Sequence, residues 1–239
     1  MAATPSSGHR IEIRGDSNNL ATDGSVAGTN NVVGERPQGD APPSGPVPAV
    51  SFGSPVTPYD RDVFVIYGQD EAARHAVFGL LHGLNHRPLE WETLVGRTGK
   101  ATPYLGEVIT LAASTTRAAL VILTPDDVVR LHPQLLNEER DPREAELSCQ
   151  ARPNVFIELG LALMACPARP VIVEIGRMRR PSDIEGLNAI RFDRSKPVDS
   201  VRKIASRLKF AGCAVDDSGT DWLDPVRFVE LDALGRRGE

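Results

Sequence analysis

The sequence predicts an α/β fold, a doubly wound five-stranded parallel sheet of flavodoxin-type order with helices on both faces. Three observations predict it. Short runs of β-branched and aliphatic residues recur from residue 59 to 225, each closed by Gly, Pro or Asp. Longer segments with helical spacing of apolar residues separate those runs, the pattern of βαβ units. The longest runs, at 63–67, 118–123 and 170–175, are almost continuously apolar rather than alternating, as strands covered on both faces require.

Asp62-Val-Phe-Val-Ile-Tyr67 is the first strand, stopped by Gly68. Asp70 to Leu84 reads as a helix: Val77, Leu80, Leu81 and Leu84 share a side, and Asp70 and Glu71 suit its positive N-terminus. A short strand at Pro88-Leu89-Glu90 follows, then a polar, Gly-containing loop from Trp91 to Pro103. Tyr104 to Thr116 is the second helix and Ala118 to Leu123 the third strand, ended by Thr124-Pro-Asp-Asp127. Residues 128–152 are polar and charged, read as a long loop with one helical turn. Asn154 to Cys166 is an apolar helix, expected to be buried nearly all round, and Pro170 to Ile175 a fourth strand. A last strand at Ala189-Ile-Arg-Phe192 and a helix from Ser200 to Ala211, capped by Gly212, complete the unit. Residues 226–239 are expected to be a C-terminal tail.

Residues 1–58 differ from the rest. They hold 8 Gly and 8 Pro with almost no apolar periodicity, too little buriable surface to offset the entropy of ordering. Two Asn-Asn pairs twelve residues apart, Asn18-Asn19 and Asn30-Asn31, leave two readings open: a disordered arm, or a small β-forming oligomerisation tag.

Composition excludes several functions. The formal net charge of −5 offers no positive field for a dedicated nucleic-acid binder. No apolar stretch approaches the ~18–20 residues needed to cross a bilayer, so no membrane partner is expected. The opening MAATPSSGHR lacks the apolar core of a secretory signal. Cys149, Cys166 and Cys213 form no disulfide framework or CxxC zinc site, which suits a reducing cytoplasm.

Stock motifs are absent too. No GxGxxG follows the first strand, and Gly96-Arg-Thr-Gly-Lys-Ala-Thr102 lacks P-loop spacing. There is no HExxH or GxSxG, and His82 and His86, beside Gly83 at a helix end, make a poor metal pair, so no metal is expected. The stretch that stands out is Arg152 to Met164. Between Val155 and Cys166 the only charge is Glu158, a lone carboxylate in an apolar helix. Burial of such a group raises its pKa and marks a functional candidate. A carboxylate at a solvent gap, favoured by the helix N-terminus one turn away, is the alternative.

Asn154-Val-Phe-Ile-Glu158-Leu-Gly160, with Leu123-Thr-Pro-Asp-Asp127 before it and Pro181-Ser-Asp-Ile-Glu-Gly186 after it, resembles a known family. It is similar to the TIR-type (Toll/interleukin-receptor) nucleotide-binding effectors of bacterial cyclic-nucleotide antiphage systems, the CBASS and Pycsar type. Val63-Phe-Val-Ile-Tyr-Gly68-Gln-Asp70, Leu89-Glu-Trp91-Glu, Ala211-Gly-Cys-Ala-Val215 and Gly219-Thr-Asp-Trp222 extend the likeness across residues 60–225.

The resemblance implies a flavodoxin-like TIR fold that hydrolyses NAD+ at the nicotinamide–ribose bond, with NAD+ as substrate and no cofactor. It makes Glu158 catalytic and assigns Arg152 and Asp183 to the substrate pocket. Arg152 suits a bidentate phosphate contact; pairing with Glu144 or Glu146 is its structural alternative. Asp126 and Asp127, at the carboxyl edge of the sheet, suit a ribose contact or loop capping. Gly68 admits close backbone approach, by ligand or by a plain turn. Trp91, in a loop expected to be mobile, suits stacking on a base or packing in an apolar seam.

The resemblance further implies a cyclic nucleotide or a sensor partner as trigger and a homo-oligomer as the active form. Two other functions remain open: a non-enzymatic nucleotide-binding or assembly module, and a nucleoside deoxyribosyltransferase-like enzyme, which also carries a Glu in a Glu-Leu-Gly helix.

Overall fold

A computed structural model describes residues 58–136 and 144–238. The arm, with its Asn-Asn repeat, lies outside the described residues up to residue 57.

Strand β1, Asp62–Ile66, is buried along its whole length. Helix α1, Glu71–Gly83, starts where Asp70 caps it, its carboxylate accepting the Ala73 N–H at 2.8 Å. Strand β2 spans Arg87–Leu89, followed by helices α2, Trp91–Thr98, and α3, Leu105–Thr115. Then come β3, Ala118–Leu123, and two short strands, β4, Asp127–Val129, and β5, Ser148–Gln150. Helix α4, Pro153–Ala165, leads to β6, Pro170–Glu174, and β7, Ile190–Arg191. Helices α5, Pro197–Phe210, and α6, Val226–Val229, follow, with Gly212 at φ 92° ending the α5 segment as a glycine readily can.

β2, β1, β3, β6 and β7 form one parallel sheet in that order. Taken in sequence among themselves they run 2-1-3-4-5, the flavodoxin order that the sequence predicts. The register sets Val63 beside Ala118, Val121 beside Ile172 and Val173 beside Ile190. Side chains alternate between two cores. Val63, Val65, Leu120, Ile122 and Val173 meet α1 and α5 on one face. Phe64, Ile66, Val121, Leu123 and Ile172 meet α2, α3 and α4 on the other. Each such side chain, fully buried, contributes about 1.5–3 kcal/mol, which explains why the central strands β1, β3 and β6 carry no polar face.

The structure departs from the sequence-based expectation in four places. The segment from Trp91 begins as a helix rather than a loop, because Trp91, Leu94 and Val95 fall on one side and Leu94 is fully buried. Only after Gly99, left-handed at φ 69°, does the chain leave helical structure. Within 128–152, β4 and β5 pair antiparallel, Asp127 opposite Gln150 and Val129 opposite Ser148. The single turn expected there is a 3-10 turn at Pro133–Leu135.

Helix α4 buries Val155, Leu159 and Ala162 but leaves Ile157 54% and Met164 77% exposed, so it is covered on one side only. Lastly, the residues read as a C-terminal tail supply core. Phe228 is fully buried and stacks on Phe192 at 4.9 Å between centroids, and Leu231 and Ala233 are buried beside it.

Candidate active site at the carboxyl edge of the sheet

Helix α4 begins with Pro153, whose missing N–H and fixed φ suit a first helical position. Its buried stripe draws the second turn down onto the sheet and carries Glu158 partly out of water. No hydrogen bond or ion pair reaches that carboxylate among the described residues. Desolvation without compensation pushes its pKa up from 4.5 to about 7. Near neutral pH the group is therefore poised between acid and base.

Tyr67 stands at the end of β1, close enough for the charge of Glu158 to contribute to raising its phenol pKa. Burial is the larger cause, followed by the charge of Glu90; the Arg74 guanidinium acts the other way. Arg74, early in α1, lies over the Tyr67 ring at 5.6 Å and the Phe78 ring at 5.0 Å. It also binds Glu90 at 2.8 Å and Glu71 at 2.6 Å, tying α1 to the end of β2. Trp91 follows Glu90 and packs at 6.5 Å from Phe64, half-buried. The indole thus fills an apolar seam while keeping an accessible edge, and α2 fixes its place.

Order reverses between β1 and β3, and the loops after these strands meet at that point. Asp126, with a side chain only 3% exposed, accepts the Gln69 N–H at 2.8 Å and so clamps the loop after β1. A Cβ on Gly68 would collide with the same carboxylate, so any side chain there forces Asp126 to shift. Asp127 sits in β4 and takes Arg152 at 3.1 Å; Glu144 pairs instead with Arg179. From the C-terminal segment, Arg236 reaches Asp70 at 2.8 Å and approaches Asp126 at 3.8 Å.

These contacts sort the residues predicted from the sequence. Gly68, Asp126, Asp127 and Arg152 converge on the switch point, where their visible work is to hold one another. Glu158 lies with Tyr67 and is not joined to that network. Asp183 is exposed in a 3-10 turn, Ser182–Ile184, whose Ser182 lines a wide groove beyond β6. No contact joins Asp183 to Glu158. His82 is exposed, whereas His86 is buried past the end of α1. Tyr67, Arg74, Glu90 and Arg236 were not singled out from sequence. Tyr67 and Glu90 could have been, since each directly follows the last residue of a strand; nothing in the sequence marks Arg74 or Arg236.

A family model described as CAP12/Pycsar effector protein, TIR domain, matches residues 62–194. That span is more than half of the 239 residues and runs from the first residue of β1 past β7. The chain belongs to this family. It is a TIR-type effector, and the matched region takes in the whole parallel sheet and α4 with Glu158. The core-forming α5 and the C-terminal segment that supplies Arg236 lie beyond the match. No curated protein matches the chain. Among the described residues, no helix of the TIR domain is long and apolar enough to cross a membrane.

Proposed function

We propose that this TIR effector is an NAD+ nucleosidase, with Glu158 as its catalytic carboxylate. The observation that carries the reading is Glu158 itself: partly buried, without a partner among the described residues, with a pKa near 7, on α4 of a TIR domain. In the reaction the bond from ribose C1′ to the nicotinamide nitrogen breaks, and the electron pair leaves with nicotinamide. Positive charge is left on the ribose as an oxocarbenium ion. Ionised Glu158 stabilises that charge electrostatically, and more strongly because no competing cation pairs with it. Water then adds to C1′ and its proton passes to a base of pKa near 7, which Glu158 supplies.

Tyr67, protonated at neutral pH, is a donor for a ribose hydroxyl, and Trp91 offers an aromatic edge for a base. Arg152 suits the pyrophosphate, exchanging Asp127 for it, and Asp183 would reach the ligand only after its turn moves. NAD+ is the substrate, with no cofactor or metal in the reaction.

Self-association is part of the proposal. The apolar outer side of α4, with Ile157 and Met164 exposed, is suited to a second copy, whose approach would wall the space beside Glu158. A cyclic nucleotide or a sensor partner would then act in the cytoplasm by promoting that assembly, turning on NAD+ depletion as a defence against phage.

Incubation of the purified chain with NAD+, with products separated by chromatography, tests the activity. Nicotinamide release that is lost in Glu158→Gln is expected. Release of base from a deoxynucleoside with none from NAD+ would replace this reading with deoxyribosyl transfer. Assembly without turnover under any condition would leave a binding module.

A further inference from the structure

A concave feature lies on the same edge of the sheet, and Glu158 is not part of its lining. It is a groove of about 1060 Å³ bounded by β5, the loop after β6, the end of β7 and residues 236–238. Its charge opposes that of the chain, which is −5 overall: among the described residues, seven arginines face three glutamates along its walls. Three of the arginines come from the run Arg177-Met-Arg-Arg180 and another, Arg191, from β7.

The walls are fixed by specific bonds. The Arg179 N–H donates to the Cys149 carbonyl at 2.8 Å, and its guanidinium binds Glu144 at 2.7 Å, fastening the loop to β5. Glu174, buried at the end of β6, takes both Arg180 and Arg191, the latter at 3.1 Å. One carboxylate between two guanidiniums leaves net positive charge, and Arg180 is held with only 11% of its side chain exposed. Arg177 and Arg237 are exposed and have no acidic partner among the described residues. Gly238 packs against the Leu147 backbone at one end, where an added Cβ would lie 2.6 Å from the carbonyl oxygen.

We propose that this groove is a binding site for a nucleotide-sized oligophosphate, held by Arg177, Arg180 and Arg237 and separate from the Glu158 carboxylate. Three guanidinium forks on two separate segments match the oxygens of two linked phosphates better than those of one. The volume is that of a site for a whole nucleotide rather than a bare ion. Glu146 and Glu185 on the walls, with the acidic chain around them, oppose a long nucleic-acid backbone. The inference does not rest on NAD+ cleavage, since Glu158 is not among the lining residues.

The test is calorimetric titration of the full chain with inorganic pyrophosphate, ADP, NAD+, a cyclic mononucleotide and duplex DNA. Pyrophosphate and ADP should bind, weakening about tenfold or more as salt rises from about 50 to 200 mM. Arg177→Ala with Arg237→Ala should weaken both about tenfold or more with an unchanged melting temperature. Reversal of both charges to Glu should abolish binding. Glu158→Gln should leave both affinities unchanged, so failure here and failure of the NAD+ reading are separable. Pyrophosphate binding with no gain for any nucleotide would cut the proposal back to an anion hole and overturn the nucleotide claim. Binding that ignores the arginine substitutions, binding lost with Glu158→Gln, tighter binding of DNA than of ADP, or no binding at low salt overturns it outright.

Discussion

Replacing Glu158 with Gln separates burial from chemistry in one variant. The amide matches the carboxyl in size but never ionises, so the packing around Val155 and Leu159 is kept while the uncompensated charge disappears. Raising a carboxyl pKa from 4.5 to about 7 corresponds to at most about 3.5 kcal/mol, at roughly 1.4 kcal/mol per pH decade. Partial solvent access reduces this, and about 1–3 kcal/mol is the expected range. The sign follows from proton binding. Between about pH 4.5 and 7 the folded state holds the proton more tightly than the unfolded chain, so wild-type stability falls as pH rises. Above about pH 7 the penalty is complete, and below 4.5 it is absent.

The variant should therefore melt with the wild type at pH 4.5 and above it at pH 8, by roughly 3–10 °C for a domain of this size. Its NAD+ turnover should be lost at every pH. In the wild type, kcat/KM should rise with pH through about 7, because the ionised carboxylate is the acting form. Paired thermal melts at the two pH values and a nicotinamide-release profile supply the measurements. An equal melting difference at pH 4.5 and pH 8 refutes the buried-charge argument. Undiminished turnover in the variant refutes the catalytic role, whatever the melts show.

Gly68→Ala should destabilise by about 1–3 kcal/mol in urea unfolding, because the new Cβ displaces the Asp126 carboxylate from the Gln69 N–H. A loss under about 0.5 kcal/mol would show that the loop after β1 yields easily. Arg236→Ala should cost about 1–3 kcal/mol by leaving the nearly buried carboxylates of Asp70 and Asp126 without their cation, also read by urea unfolding. Nicotinamide release per molecule should climb with protein concentration and on adding a crowding agent; a constant rate in a strictly monomeric sample rules out assembly gating. Ile157→Asp should depress that climb more than it depresses the melting temperature, since the residue is exposed on α4.

β1, β3 and β6 were legible because each carries a continuous apolar run bounded by turn residues. Helix α4 was legible as a helix, but its depth was not. A helix without charges can be a buried rod or a covered interface, and only the sheet's width decides which residues it can cover; Ile157 and Met164 fall past it. Helix α2 was hidden by Gly96 and Thr98, which lower its intrinsic propensity, and the burial of Leu94 outweighs them. β4 and β5 hold three residues each and meet across a long stretch of charged chain. Neither has enough alternation to register on its own.

The candidate site divides along the same physical line. A carboxylate with no partner declares itself in the sequence, since an acid inside an apolar helix is anomalous before any contact is known. A carboxylate with a partner does not, because its partner lies far along the chain. Asp126 reads as an ordinary strand-end cap until Gln69 and Arg236 arrive from 57 and 110 residues away. The run Arg177-Met-Arg-Arg180 likewise reads as solvated surface until Glu144, Glu174 and residues 236–238 enclose it. An unpaired charge is therefore the place where sequence alone can locate chemistry on this edge. The groove beside it needed the fold, because its positive excess exists only as the sum of contributions from four separate segments.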